Sequence, residues 1–331
     1  MNFSRFAILG SNSFAGSVFV AKALQVGAHV IGFNRSEEGS HVFLPYKKSS
    51  NRENYQFYRA DINHDLDGII KILNSFQPEI IIDFAGQGMV AESWDDPSQW
   101  YTTNIVSKTK LHDFLRKCHW LKKYIRISTP EVYGSHEKKI CETWQINPTT
   151  PYAVSHAAVD MSLRAFHYQY GFPVIFTRFA NFYGEGQQLY RIIPRTIIYA
   201  LTNRKLLLHG GGSSIRAFIY IQDVAEGIMK TIGSGIPGEM YHFSPEKFYT
   251  IQDVVKIICR QLGIDFESFV EYSPDRPAKD RAYLMDSTRV RKELDWADSV
   301  DLTQGIDKTI RWVHENFEEI LSLPLEYIHK A

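Results

Sequence analysis

Continuous apolar runs alternating with amphipathic helical stretches dominate the first half of the chain. No other feature restricts the fold as strongly. Residues 5–10 read as a short apolar strand ending in glycine, 13–26 have helical spacing, and 29–33 read as a second strand. Residues 56–60, 79–84 and 124–128 continue the strand series, with helices expected at 65–76 and 97–118. Strands that stay apolar along their whole length are buried on both faces. Strands separated by helices run parallel in one sheet. The expected fold class is therefore α/β, a doubly wound parallel sheet with a smaller C-terminal lobe.

Beyond about residue 180 the alternation loosens. Residues 184–186 and 209–214 read as loops, 191–202 and 221–231 as helices, and 240–243 as a strand. Thr250 followed three positions later by Asp253 is a capping signature for a helix running to about Leu262. A chain of 331 residues suits one large domain with a second lobe. The expected division is 1–180, with later strands interleaved into its sheet, and 181–331.

Thirty-seven basic residues cancel 37 acidic ones, so the chain as a whole offers nothing to attract nucleic acid or a membrane surface. Positive charge that holds a ligand must be local. No apolar run approaches the ~20 residues needed to span a bilayer, and the N-terminal segment lacks a signal peptide's apolar core. A cytoplasmic location is expected. Cys118, Cys141 and Cys259 are odd in number and widely spaced, which suits buried or half-buried thiols in a reducing compartment. The histidines show no HExxH or HxxEH spacing, and no metal site is expected.

Gly10-Ser11-Asn12-Ser13-Phe14-Ala15-Gly16 lies where the first strand turns into the first helix. Gly10 permits a tight turn, Gly16 lets the helix pack closely on the sheet, and the helix start offers N–H groups to a pyrophosphate. Ser13 replaces the middle glycine of the usual pattern. This is the signature of a Rossmann-like fold binding NAD or NADP. About 20 residues on, where a carboxylate grips the ribose of NAD, the chain reads Phe33-Asn34-Arg35-Ser36. Arg35 suits a 2′-phosphate, which favours NADP.

Ser128-Thr129-Pro130-Glu131-Val132-Tyr133-Gly134 follows the fifth strand, and Tyr152-Ala153-Val154-Ser155-His156 opens a helix. With Ala85-Gly86-Gln87, Thr103-Asn104, the run 178–184, the run 214–223 and the run 275–281, the chain resembles the extended short-chain dehydrogenase/reductase superfamily almost end to end. Within it the resemblance is to the nucleotide-sugar 4,6-dehydratases. It implies a cofactor site built from Gly10, Asn12, Ser13, Phe14, Gly16, Asn34, Arg35, Asp61 and Ile62 on one side. Ala85, Gly86, Gln87, Thr103, Tyr152 and His156 complete it. Tyr152 is then the base on the sugar C4 hydroxyl, with Thr129 bonded to that hydroxyl. Oxidation at C4 acidifies the C5 proton, Glu131 removes it, water leaves from C6 and hydride returns there. A cofactor-adjacent carboxylate can have its pKa raised for such work.

Two departures stand out. Pro130 occupies the slot where the family usually places an aspartic acid that protonates the departing hydroxide, so Glu131 or a water must supply that proton. His156 replaces the lysine of Tyr-x-x-x-Lys. The two side chains share a helix face, but an imidazole is only partly charged near neutrality, so turnover slower than in lysine-bearing relatives is expected. For the nucleotide-diphosphate sugar, the resemblance implies Ser93, Asn181, Arg191, Arg216, Arg276 and Arg281. It also implies a homodimer through helices at 97–118 and 152–170, which carry Phe114, Phe166 and Tyr170. A nucleotide-sugar 4-epimerase and a uronic acid decarboxylase are the neighbouring readings, though 4-epimerisation needs no base such as Glu131. A non-catalytic protein that binds these ligands is the alternative of another class, supported by Pro130 and His156.

Overall fold

A computed structural model describes residues 3–136, 138–274 and 282–330. The first half builds β1 (Arg5–Leu9), α1 (Phe14–Gln25), β2 (His29–Asn34), β3 (Tyr55–Arg59), α2 (Leu66–Phe76) and β4 (Ile80–Asp83). It continues with α3 (Pro97–Tyr101), α4 (Lys108–Leu115), β5 (Lys123–Ser128), α5 (Pro151–Tyr170) and β6 (Val174–Phe179). Then come β7 (Asn181–Tyr183), α6 (Ile192–Leu201), β8 (Leu206–His209), β9 (Ile215–Arg216), β10 (Phe218–Tyr220) and α7 (Ile221–Ser234). The chain goes on through β11 (Met240–Phe243), β12 (Tyr249–Thr250), α8 (Ile251–Leu262), α9 (Phe266–Phe269) and β13 (Val270–Ser273). Helices α10 (Thr288–Glu293) and α11 (Leu302–Glu315) follow.

Seven strands form the main sheet in the order β11-β6-β5-β4-β1-β2-β3, every pair parallel. The expected doubly wound class is the one observed. Side chains of β1 alternate between two cores: Phe6 and Ile8 join one, Ala7 and Leu9 the other, and all four are buried. Each large side chain so buried contributes about 1.5–3 kcal/mol, and the register follows, because a one-residue slip would exchange the two faces. Strand order reverses between β1 and β4, and the crevice beyond their carboxyl ends is where such sheets bind ligands.

Strand β11, from the second half of the chain, pairs with β6 at the edge of this sheet. A separate core, including Ile193, Ile197, Val254, Ile258 and Ile306, joins α6, α8 and α11. Thr250 caps α8 through a reciprocal box with Asp253, as its spacing requires.

Three expectations are corrected. The helix expected at 97–118 is interrupted by a π-helical turn at Thr102–Ser107, and its β-branched residues Thr102, Thr103, Ile105 and Val106 weaken regular helix there. Cys141 is exposed rather than buried. Phe114 and Phe166 pack against the sheet core; the outward apolar residues of α5 are Val154, Met161, Tyr168 and Tyr170. Among the described residues, no helix is long and apolar enough to cross a membrane.

Candidate active site

The turn after β1 is built for close approach. Gly10 has φ +79°, and a Cβ on it would lie 2.8 Å from the Ala85 amide nitrogen; one on Gly16 would lie 2.2 Å from the Gly10 carbonyl oxygen. Ser13 caps α1 by accepting from the Gly16 amide at 3.1 Å, so it takes one helix-end donor for itself. The Phe14 and Ala15 amides then remain as the donors available to an anion. The Phe14 ring does not line the cleft: it is buried and packs 6.1 Å from Phe182. Asn12 fastens the turn, accepting from Tyr46 at 2.8 Å and donating to the Ser36 carbonyl at 3.2 Å.

Gly10, Ser13, Asn34 and Arg35 line a cleft over the carboxyl ends of β1, β2 and β4. Asp61 and Ile62 close it after β3, and Ala85, Gly86, Gln87 and Thr103 from the β4 side. The glycine cradle, the two free amides and this lining fit a dinucleotide. Arg35 donates to the Gln87 side-chain oxygen at 3.1 Å and to the Lys330 carbonyl at 2.9 Å, so the end of the chain crosses the mouth of the cleft. Gln87 donates to the same carbonyl at 2.7 Å.

The π turn aims Asn104 inward. Its side chain accepts from the Gln87 amide at 2.8 Å, and donates to the Gln87 carbonyl at 3.1 Å and to Ser155 Oγ at 2.9 Å. Asn104 therefore ties the loop after β4 to α5, the helix that carries Tyr152. The expected role of Ser93 needs correction. It is fully buried, its hydroxyl donates to the Val90 carbonyl at 2.6 Å and accepts from the Tyr152 amide at 3.2 Å, so it positions the helix start rather than opening onto a substrate.

Thr129 caps a 3-10 turn at Pro130–Tyr133, with Pro130 at its first position, where a missing N–H costs nothing. Its hydroxyl accepts from the Glu131 amide at 3.3 Å and donates to the Glu131 carboxylate. Tyr152 stands opposite, in the first turn of α5. Burial pushes its phenol up and Glu131 adds to the effect, while the Thr129 hydroxyl, Arg191 and Arg126 pull it back. Thr129, Glu131, Tyr152 and Arg191 thus share one site. The ring of His156 lies 4.6 Å from that of Tyr152, with centroids as reference.

His156 corrects the sequence reading most sharply. Burial, then Arg126, Lys108 and Arg178, hold the imidazole well below its ordinary range, so it is neutral rather than partly charged at neutral pH. Arg126 and the other charges behind it escaped the sequence reading. Arg126 of β5 is buried and bonds Asp160 at 3.1 Å; Arg178 of β6 bonds the same carboxylate at 3.2 Å. Lys108 bonds Asp83 at 2.7 Å. For Asp83, Arg126 and Arg178 the signal was present as charged residues inside apolar strands, where an unpaired charge is costly; Lys108 and Asp160, on α4 and α5, carried none.

Of the other residues expected to bind the nucleotide sugar, Asn181 is exposed on β7, and its amide donates to the Ala217 carbonyl at 3.2 Å, next to Arg216. The Arg216 guanidinium lies 4.3 Å from the Tyr283 ring centroid. Arg276 and Arg281 lie outside the described residues. Among the described residues, no group of three or more His, Cys, Asp and Glu side chains is placed to share a metal ion.

Known proteins are similar across nearly the whole chain. The family described as GDP-mannose 4,6 dehydratase matches residues 8–309. A dTDP-glucose 4,6-dehydratase of Escherichia coli is 33% identical over 298 residues, covering 81% of this chain and 82% of its own. A human dTDP-D-glucose 4,6-dehydratase is 32% identical over 274 residues, covering 81% and 77%. A solved dTDP-glucose 4,6-dehydratase of Streptomyces venezuelae, with NAD and TYD bound, superposes with a TM-score of 0.87 at 28% identity, covering 95% of this chain and 98% of that one. A Thermotoga maritima UDP-glucose 4-epimerase solved with UDP-glucose superposes with a TM-score of 0.85 at 25% identity. On the family match, which spans all the motifs of the cleft and the Tyr152 site, the chain belongs to the GDP-mannose 4,6 dehydratase family.

Proposed function

We propose that the chain is a nucleotide-diphosphate-sugar 4,6-dehydratase. The observation that carries this reading is the placement of Glu131 beside Thr129 and within electrostatic reach of Tyr152. A carboxylate there is suited to the C5 proton, which dehydration requires and simple 4-epimerisation does not. The relatives that are named dehydratases support the same choice.

The dinucleotide, when bound, supplies the acceptor for hydride from C4 and the donor of hydride to C6. The chain does the rest. Tyr152 takes the proton of the C4 hydroxyl while Thr129 orients that oxygen. Glu131 then removes the C5 proton and, because Pro130 has none to give, hands it to the hydroxide leaving C6. One water departs, a proton equivalent to the one Tyr152 took returns to C5 through solvent as hydride reaches C6, and the product is a 4-keto-6-deoxy sugar. Asn181, Arg191 and Arg216, with Arg276 and Arg281, are the proposed partners of the diphosphate. Residues 1–180 then carry chiefly the cofactor and 181–331 chiefly the nucleotide sugar.

The test is incubation with a panel of nucleotide-diphosphate hexoses and analysis of product mass. Loss of water, abolished in Glu131→Gln, is expected. Unchanged mass with inverted C4 stereochemistry would make the protein an epimerase, and no turnover with bound dinucleotide would make it a binding protein. NADP is the proposed cofactor because Arg35, not a carboxylate, borders the cleft after β2. Arg35→Ala should then weaken NADP binding while leaving NAD binding nearly unchanged. A homodimer is proposed through α5, whose Met161 and Tyr168 are 57% and 71% exposed; sedimentation at monomer mass would refute it.

A further inference from the structure

The helix pair Tyr152 and His156 has no permanent cation of its own, yet one lies directly behind it. Arg126 Nη2 is 3.0 Å from His156 Nδ1. A guanidinium only donates, so Nδ1 must accept and the ring proton must sit on Nε2. Nε2 has no hydrogen-bond partner among the described residues, and it is not among the buried side-chain atoms left without one, so it is open to solvent. Arg126 is itself fixed: Nε donates to Asp160 Oδ1 at 3.1 Å, Nη1 donates to the Ile127 carbonyl at 2.9 Å, and Asp83 Oδ2 lies 3.6 Å from Nη1. Asp160 is held in turn by Arg178 and Ser128.

We propose that Arg126 is the positioning residue of this site, locking His156 as a neutral Nε2–H donor toward the nicotinamide ribose and supplying from β5 the fixed positive charge that faces Tyr152. The proposal rests on the dehydratase reading only for its kinetic arm. The charges around His156 come from five elements: Arg126 on β5, Lys108 on α4, Arg178 on β6, Asp83 on β4, and Tyr152 and Asp160 on α5 itself. Three cations meet two carboxylates there, leaving one positive charge in excess; at Tyr152 itself Glu131 and Arg191 add one charge of each sign, so the excess that a phenolate needs remains. A lysine at position 156 would face the Arg126 guanidinium instead of an acceptor, so the slow turnover expected from the missing lysine does not follow.

The first test reads the ring directly. In 15N-histidine-labelled whole protein, with His156 assigned by its loss in His156→Gln, long-range 1H–15N spectra should show the neutral Nε2–H form unchanged between pH 6 and pH 8.5. An Nδ1–H tautomer, or titration near pH 6.5, would overturn the proposal whether or not the protein turns over a sugar. The second test is kinetic. In Arg126→Gln the ascending limb of the kcat pH profile should move up by about one unit, with little change in KM, and Arg126→Lys should restore most of that shift. His156→Lys alone should lower kcat at least tenfold, and the double variant Arg126→Gln/His156→Lys should recover much of the loss, a non-additive cycle expected only for coupled groups. An unchanged pH limb in Arg126→Gln, or a rate gain in His156→Lys, refutes it. The spectra of the unaltered protein decide the case if Arg126 variants do not fold.

Discussion

Asn104→Ala should disconnect the cofactor cleft from the catalytic helix. Asn104 is 1% exposed and makes three hydrogen bonds, two to the backbone of Gln87 and one to Ser155. Ser155 keeps its bond to the Tyr152 carbonyl at 2.7 Å, so its hydroxyl is not orphaned. The Gln87 amide and carbonyl are left without that partner, and Gln87 is 3% exposed. Each buried group deprived of its bond costs about 1–3 kcal/mol, and taking ~1.5 kcal/mol for each gives a loss of about 3 kcal/mol. With an unfolding entropy of about 2.1 cal/mol/K per residue, a chain of 331 residues should melt about 4 °C lower. Differential scanning calorimetry of the unliganded protein measures this. Because the lost tie runs to the Tyr152 helix, kcat should also fall by about tenfold or more, with dinucleotide affinity reduced through the freed Gln87 loop. A variant that melts within about 1 °C of the parent and turns over normally would refute the claim that Asn104 couples the two halves of the site.

Two further substitutions or conditions test the frame. Gly16→Ala places a methyl 2.2 Å from the Gly10 carbonyl and 2.7 Å from Ser13 Oγ, so the turn must shift. Dinucleotide affinity measured by NADPH fluorescence should drop by about tenfold or more, and an unchanged Kd would show the cradle is not the pyrophosphate site. His112 and His242 are buried and pushed down to about 3, chiefly by burial. Unfolded, both bind protons below about pH 6.5. Their contribution to stability is therefore complete above that pH and is lost as pH falls from about 6.5 toward 3, by up to about 1.4 kcal/mol per unit for each ring. Urea midpoints at descending pH should fall less steeply in His242→Asn than in the parent. Equal slopes would mean that His242 does not remain neutral in the fold.

Much of the architecture was legible in the chain because it rests on local patterns. Unbroken apolar runs such as residues 80–82 must be covered on both faces. The glycines at 10 and 16 announce a turn where no side chain fits, and Thr250 with Asp253 announces a helix start. Those signals depend on neighbours in sequence, so the sequence alone determined the α/β class and the order of the elements through β5. The strand at Val174–Phe179 and, Met240–Phe243 aside, the short strands after it went unread, and Gln87 joined Gly10 and Arg35 only through the family resemblance. The chemistry of His156 could not be read in that way. Its charge state depends on Arg126, Lys108 and Arg178, which approach from three other elements. In sequence these look like charges scattered through strands and helices. Ser93 and Asn104 had motif positions but no readable partners, because a hydrogen bond between residues 93 and 152 or 104 and 87 exists only after the chain has folded back. Local periodicity chose the scaffold, and tertiary packing assigned the protons, since burial and the sum of distant charges decide which groups can bear them.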